Sequence, residues 1–173
     1  MAQPFATYSY RVFLSSGDDA IRLRDRAESL FAIASHSLVQ NDAPFRVEVD
    51  RWEHTAAQRG ESDHLNDLFV ERAKRAHLTL VLLLRDIRPG TLEEVEAVLD
   101  ETTDRDVAVV WFHDPGVTPT AELDAFLAKR RDEILYAEVG PPDSEDAWYG
   151  LVRVVIRLLV RAFHPGSPPG AAP

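Results

Sequence analysis

A chain of 173 residues is long enough for one ordinary domain with its own core, and the absence of cysteine excludes disulfides, thiolate metal sites and a cysteine nucleophile. A formal net charge of -10, with basic residues that are nearly all arginine, opposes general nucleic-acid binding. No apolar run reaches the roughly 18 residues of a membrane span, and the opening MAQPFATYSYRVF lacks the basic and apolar segments of a signal peptide, so the expectation is a cytoplasmic protein with neither a membrane nor a nucleic-acid partner.

Taken in chain order, residues 1–9 read as an extension, 10–164 as one α/β domain and 165–173 as a disordered Pro/Gly-rich tail or linker. YRVFLSS (10–16) is a buried-type strand, and DDAIRLRDRAESLFAIASHSL carries helical spacing at Ile21, Leu23, Ala27, Leu30 and Phe31. FRVEVDRW (45–52) alternates as a second strand. A polar loop leads into the helix HLNDLFVERAKRA and the apolar strand LTLVLLL (78–84). RPGTLEEVEAVLD opens the next helix. It is followed by the strand VAVVWF (107–112), the helix TAELDAFLAKRRDE, the strand ILYAEV (134–139) and a helix from about Ser144 to Phe163.

This alternation predicts a five-stranded parallel sheet of flavodoxin-like order 2-1-3-4-5 with helices on both faces, and a binding crevice where the order reverses between strands one and three. The last helix is apolar nearly all round apart from Arg153, Arg157 and Arg161, a stripe that suits snorkelling cations or a self-association face.

Several chemistries are excluded by what the chain lacks. It has no GxGxxG, no GxxxxGK[ST], no HExxH and no GxSxG, so dinucleotide-fingerprint, Walker-loop, zincin and nucleophile-elbow sites are not expected, and neither is a metal. The strand ends where a phosphotransfer receiver needs acids, a hydroxyl and a lysine hold Ser15 and Ser16, Trp111 and Phe112, and Val139-Gly140-Pro141. The turn Ser15-Ser16-Gly17-Asp18-Asp19 suits helix capping or sugar hydroxyls better than phosphate.

The segment Thr91-Leu92-Glu93-Glu94 predicts a capping box, with Thr91 as N-cap and Glu94 at N3 reaching back to it. Glu93 points away from the apolar face, and Glu94 stands in the first turn above the expected crevice. There a carboxylate could attack or stabilise a sugar centre as a glycosidic bond breaks.

The strand YRVFLSS with its acidic turn, the helix HLNDLFVERAKRA running into LTLVLLL, and PGTLEEVEAVL together resemble the related folds of TIR domains and nucleoside 2-deoxyribosyltransferases, over about residues 10 to 112. Gly90, Thr91 and Glu94 match the GTxxE segment that carries the deoxyribosyltransferase nucleophile. The chain differs at Arg75-Ala76-His77-Leu78, where those enzymes often carry an acid, and PGTLEE lacks the serine and aromatic or cysteine pattern at the start of the TIR helix.

The resemblance implies an N-glycosidase that cleaves the nicotinamide-ribose bond of NAD or a related nucleotide, an effector in bacterial defence or signalling. NAD would be its substrate, with no cofactor, and self-association or a partner domain is expected. Glu94 is then the catalytic carboxylate. Ser15, Ser16, Gly17, Trp52, Asp86 and Thr91 are the substrate-binding candidates, with Trp52 stacking on a ring or closing the sheet edge, and Asp86 bonding a ribose hydroxyl or simply making a turn. The alternatives are a non-catalytic TIR-like assembly module and a domain that senses a nucleotide without cleaving it.

Overall fold

The structure, a computed structural model, describes residues 8–40, 45–51, 62–101 and 106–162. Strand β1 (Tyr8–Ser16) leads through a short 3-10 turn (Asp18–Ala20) into α1 (Ile21–Gln40), and β2 (Phe45–Arg51) precedes α2 (Ser62–Arg75). Then come β3 (Leu78–Leu83), α3 (Pro89–Glu101) and β4 (Asp106–Phe112). The chain continues through α4 (Ala121–Arg130), a 3-10 turn (Arg131–Glu133), β5 (Leu135–Val139) and α5 (Glu145–Ala162). Trp52 and the tail 165–173 lie outside the described residues.

All neighbouring strands pair in parallel, and the order is β2-β1-β3-β4-β5, as the alternation predicts. Strand β1 begins two residues earlier than predicted because Tyr8 and Ser9 pair with Phe45 and Arg46. Every residue of β3 is buried, which is why its sequence is continuously apolar and not alternating.

The period of two divides the core into two layers. Val12, Leu14, Leu80, Leu82 and Val110 pack with Leu23, Ala27 and Phe31 of α1 and with Leu151, Val155 and Leu158 of α5. Phe13, Val81, Leu83, Val107 and Val109 pack with Ala73 of α2, Val95 and Val98 of α3, and Leu123 and Phe126 of α4. Each fully buried Leu or Val contributes about 1.5–3 kcal/mol by leaving water.

Helix α5 buries Ala147, Leu151, Val155 and Leu158 and comes close to β5 at Gly150, where a Cβ would stand 2.4 Å from Val139 Cγ1. A side chain there would have to displace a stiff β-branched neighbour. On the far side of α5, Tyr149, Ile156 and Val160 are exposed alongside Arg153 and Arg157, while Arg161 pairs with Asp106 at 3.1 Å. No described helix is long and apolar enough to cross a membrane.

Polar ties hold the layers in register. Arg51, at the end of β2, pairs with Asp25 at 2.8 Å and Glu28 at 2.5 Å on α1. Arg130 joins α4 to α3 through Glu96 and Asp100 and also bonds Glu133. The Arg130 guanidinium, aided by Lys129, holds the Glu96 carboxyl below its ordinary range.

In the central strand, the Thr79 hydroxyl is fully buried and meets no hydrogen-bond partner. Thr79→Val removes that unmet group at constant shape and is expected to raise stability by about 1 kcal/mol, read as a higher denaturation midpoint at unchanged m-value.

Candidate active site

The site is built where β1 and β3 lie side by side and their helices leave on opposite faces, the switch point of the sheet. Ser15, opposite Val81, faces the α3 layer, and Ser16, opposite Leu82, ends the strand. Pro89 sets where α3 begins. Its fixed φ suits the first helical position, where no N–H is needed, and the Leu92 N–H donates to Arg88 O at 2.9 Å to make the first helical bond.

The predicted capping box is therefore absent. Thr91 is not the N-cap but lies buried in the first turn, and Glu94 lies a further turn in, beyond reach of the helix start. Instead of capping, Glu94 turns inward, is only 7 % exposed, and accepts a hydrogen bond from the Ser15 hydroxyl. Glu93 is exposed, as its place on the helix predicts, and Glu96 is occupied with Lys129 and Arg130.

Burial lifts the Glu94 carboxyl from an ordinary value of 4.5 to about 7, although the Ser15 hydroxyl and the Arg24 charge each pull it down. Arg24 lies on α1 and is wholly buried. It was not among the sequence candidates, yet it falls three residues before Ala27, on the same face. An arginine set into an apolar helix face was the available signal.

The remaining candidates divide. Ser16 donates to Gly17 O at 3.0 Å, which closes the turn on itself. Gly17 has ordinary extended φ and is needed for close approach: a Cβ would stand 2.6 Å from Asp19 Oδ1 and 3.3 Å from Arg88 Cγ. Asp19 does not cap α1; its Oδ2 accepts the Arg85 N–H at 3.3 Å, tying the first turn to the loop after β3.

Asp86 is engaged by its neighbours. It accepts from the Thr120 hydroxyl at 3.0 Å and stands 3.6 Å from Arg88 Nε, so it braces the β3–α3 and β4–α4 loops. Thr120 also caps α4 by accepting the Leu123 N–H.

Beside this turn a cavity of about 190 Å3 opens at the ends of β3 and β4, walled by Leu84, Trp111, Phe112, His113, Val117 and Pro142, with Asp19, Arg85 and Asp114 at its polar edge. The Trp111 and His113 rings are stacked with centroids 4.4 Å apart and 18° between planes. The Trp111 indole N–H donates to Leu84 O at 2.9 Å, and His113 Nδ1 lies 2.8 Å from Glu138 Oε1. Among the described residues the aromatic wall comes from Trp111 and Phe112 of β4 and from His113 just after it; the Trp52 expectation lies outside them. A larger groove of about 690 Å3 lies over β2 and α2, between Arg11, Glu48, Asp50, Arg72 and Arg75; Glu94 and Ser15 line neither cavity. Among the described residues, no group of three or more His, Asp or Glu side chains converges as a metal site would.

Neither a protein-family model nor a curated protein matches the chain. Solved structures do share its shape. The CMP N-glycosidase BcmB of Clostridium botulinum is 16% identical, with 84% of this chain and 98% of that chain covered and a TM-score of 0.50. The flavodoxin-like domain of a Synechococcus sp. protein is 13% identical over 87% of this chain and 99% of that one, with a TM-score of 0.48. The Flv1 flavodiiron core from Synechocystis sp. is 9% identical, with 90% of this chain and 37% of that chain covered and a TM-score of 0.47. At 16% identity the likeness to BcmB is one of fold alone, and the flavodoxin-like order is read from the chain's own sheet, β2-β1-β3-β4-β5.

Proposed function

We propose that the protein is a nucleotide N-glycosidase that breaks the bond between ribose and base, with Glu94 as the catalytic carboxylate. The observation that carries the reading is the placement of Glu94: it caps nothing, is buried at the switch point, and is held by the Ser15 hydroxyl near the end of β1. A buried carboxyl poised near 7 in such a place is more useful to a reaction than to a fold. NAD and related nucleotides, including CMP, are the substrates to test. The N-glycosidase among the structures of similar shape is consistent with this reading.

The chemistry follows from the ionised form. As the C1′–N bond breaks, the base leaves with the electron pair, and the Glu94 carboxylate meets the positive charge that develops on the sugar, either as a close ion pair or as a C1′–O ester. Water then adds to C1′. Its oxygen stays on the sugar, its proton is released, and the carboxylate is regenerated. Nicotinamide departs neutral from a cationic ring nitrogen, so NAD needs no proton donor, whereas cytosine takes up a proton as it leaves.

Because the ionised form acts, kcat/KM for nicotinamide release from NAD should rise with pH through about 7. Ser15→Ala removes the donor that stabilises the carboxylate, so the midpoint of that profile should move to higher pH. A pH–rate profile of each protein checks this; an unmoved midpoint would separate Ser15 from the reacting group.

A second reading, an assembly module, is favoured by the exposed Tyr149, Ile156 and Val160 on α5. If α5 joins copies of the chain, Ile156→Asp should convert a concentration-dependent assembly in sedimentation velocity to monomer. A wild type that remains monomeric at every concentration would remove that reading.

A further inference from the structure

The geometry points to the cavity at the ends of β3 and β4 as a binding site for one six-membered aromatic heterocycle, the leaving base of the proposed reaction. This rests on the N-glycosidase reading for its biological purpose, but the site itself is argued from its own walls. Size comes first. The cavity measures about 190 Å3. A cavity of about 150 Å3 accommodates one benzene ring. A pyridine or pyrimidine ring with small substituents therefore fits.

Shape and chemistry agree with size. The stacked Trp111 and His113 offer flat ring surfaces, and offset stacking on such surfaces favours a planar ligand over an aliphatic one of equal volume. Leu84 and Val117 keep the remaining wall apolar. Both aromatic rings are held in place, Trp111 by Leu84 O and His113 by Glu138, so the platform is formed before any ligand arrives. The polar edge contains carboxylates at Asp19 and Asp114 and a cation at Arg85, which match the amide of nicotinamide or the amino and carbonyl groups of cytosine.

Position links the cavity to the chemistry. Asp19 lines it and at the same time lies against Gly17, two residues from the Ser15 hydroxyl that holds Glu94.

The test is binding of free nicotinamide and cytosine, followed by protein NMR through the Trp111 indole N–H resonance, in the wild type and in Glu94→Gln, Val117→Phe and His113→Ala. Val117 is 40% exposed, so Phe can fill the cavity without entering the core, and His113→Ala deletes one of the stacked rings. Nicotinamide or cytosine should shift the indole signal in both the wild type and Glu94→Gln. Val117→Phe and His113→Ala should each weaken that binding at least about tenfold. Absence of single-ring binding, or affinity unchanged in both cavity variants, would overturn the assignment. Ring binding by a protein that releases no base would refute the catalytic reading alone. Base release by a protein whose cavity binds no ring would refute the cavity alone.

Discussion

Glu94→Gln is expected to lower base release by at least about 100-fold while making the folded protein more stable above neutral pH. The two effects have one origin. In the fold the carboxyl holds its proton up to about 7, whereas in the unfolded chain it gives it up near the ordinary 4.5. The unfolded state therefore sheds its proton first as pH rises. The wild type keeps its full stability below 4.5, loses part of it between 4.5 and about 7, and is constant above that.

Glutamine has no proton to lose, so its advantage should grow through the same window and level off near pH 8. The shift corresponds to on the order of 3 kcal/mol, reduced toward about 2 because the glutamine amide still needs an acceptor. Denaturant melts of both proteins at several pH values check it. A residue kept for structure gives the opposite sign, since its replacement would destabilise. Because Glu94 does not cap α3, no capping loss obscures the comparison.

Leu80→Ala is expected to have the largest effect on the fold. Leu80 is wholly buried in the central strand, between Leu14 of β1 and Ala108 of β4, and it faces the α1 and α5 layer. Truncation forfeits the transfer of its removed carbons and leaves a cavity that neighbouring strands, locked in register, are poorly able to close. A loss of about 2–5 kcal/mol follows. Against a typical domain stability of about 5–15 kcal/mol this is a large fraction. Urea melts measure it, and turnover per folded molecule should be little changed, because Leu80 faces away from Ser15 and Glu94. A variant that loses turnover while still folded would tie the site to the core more closely than the layers imply.

The sheet order was legible because apolar period and turn residues point to the same alternation throughout, and because β3, buried on both faces, announces itself as a run of leucines. Glu94 was legible through its position after β3, but not through its local reason. Thr91 looked like an N-cap because it precedes an apolar face with glutamate three residues on. Pro89 was the better signal, since it starts a helix more readily than it precedes one, and that moved Thr91 and Glu94 inward.

The sequence patterns missed Arg24 and Trp111 for a common reason: each sits within an apolar stretch, where pattern reading assigns it to the core. Whether such a side chain lines a cavity or fills a layer depends on loops brought together by the fold, here those after β3, β4 and β5. Asp86 shows the reverse, a loop acid whose partner Thr120 comes into reach only once the β3–α3 and β4–α4 loops meet.

The measurement that bears most directly on the whole is base release from NAD and from CMP at pH 8, by wild type and Glu94→Gln, with both proteins confirmed folded. The account predicts free nicotinamide or cytosine from the wild type and at least about 100-fold less from the variant. No base from the wild type with either nucleotide, or equal release by both proteins, would contradict it.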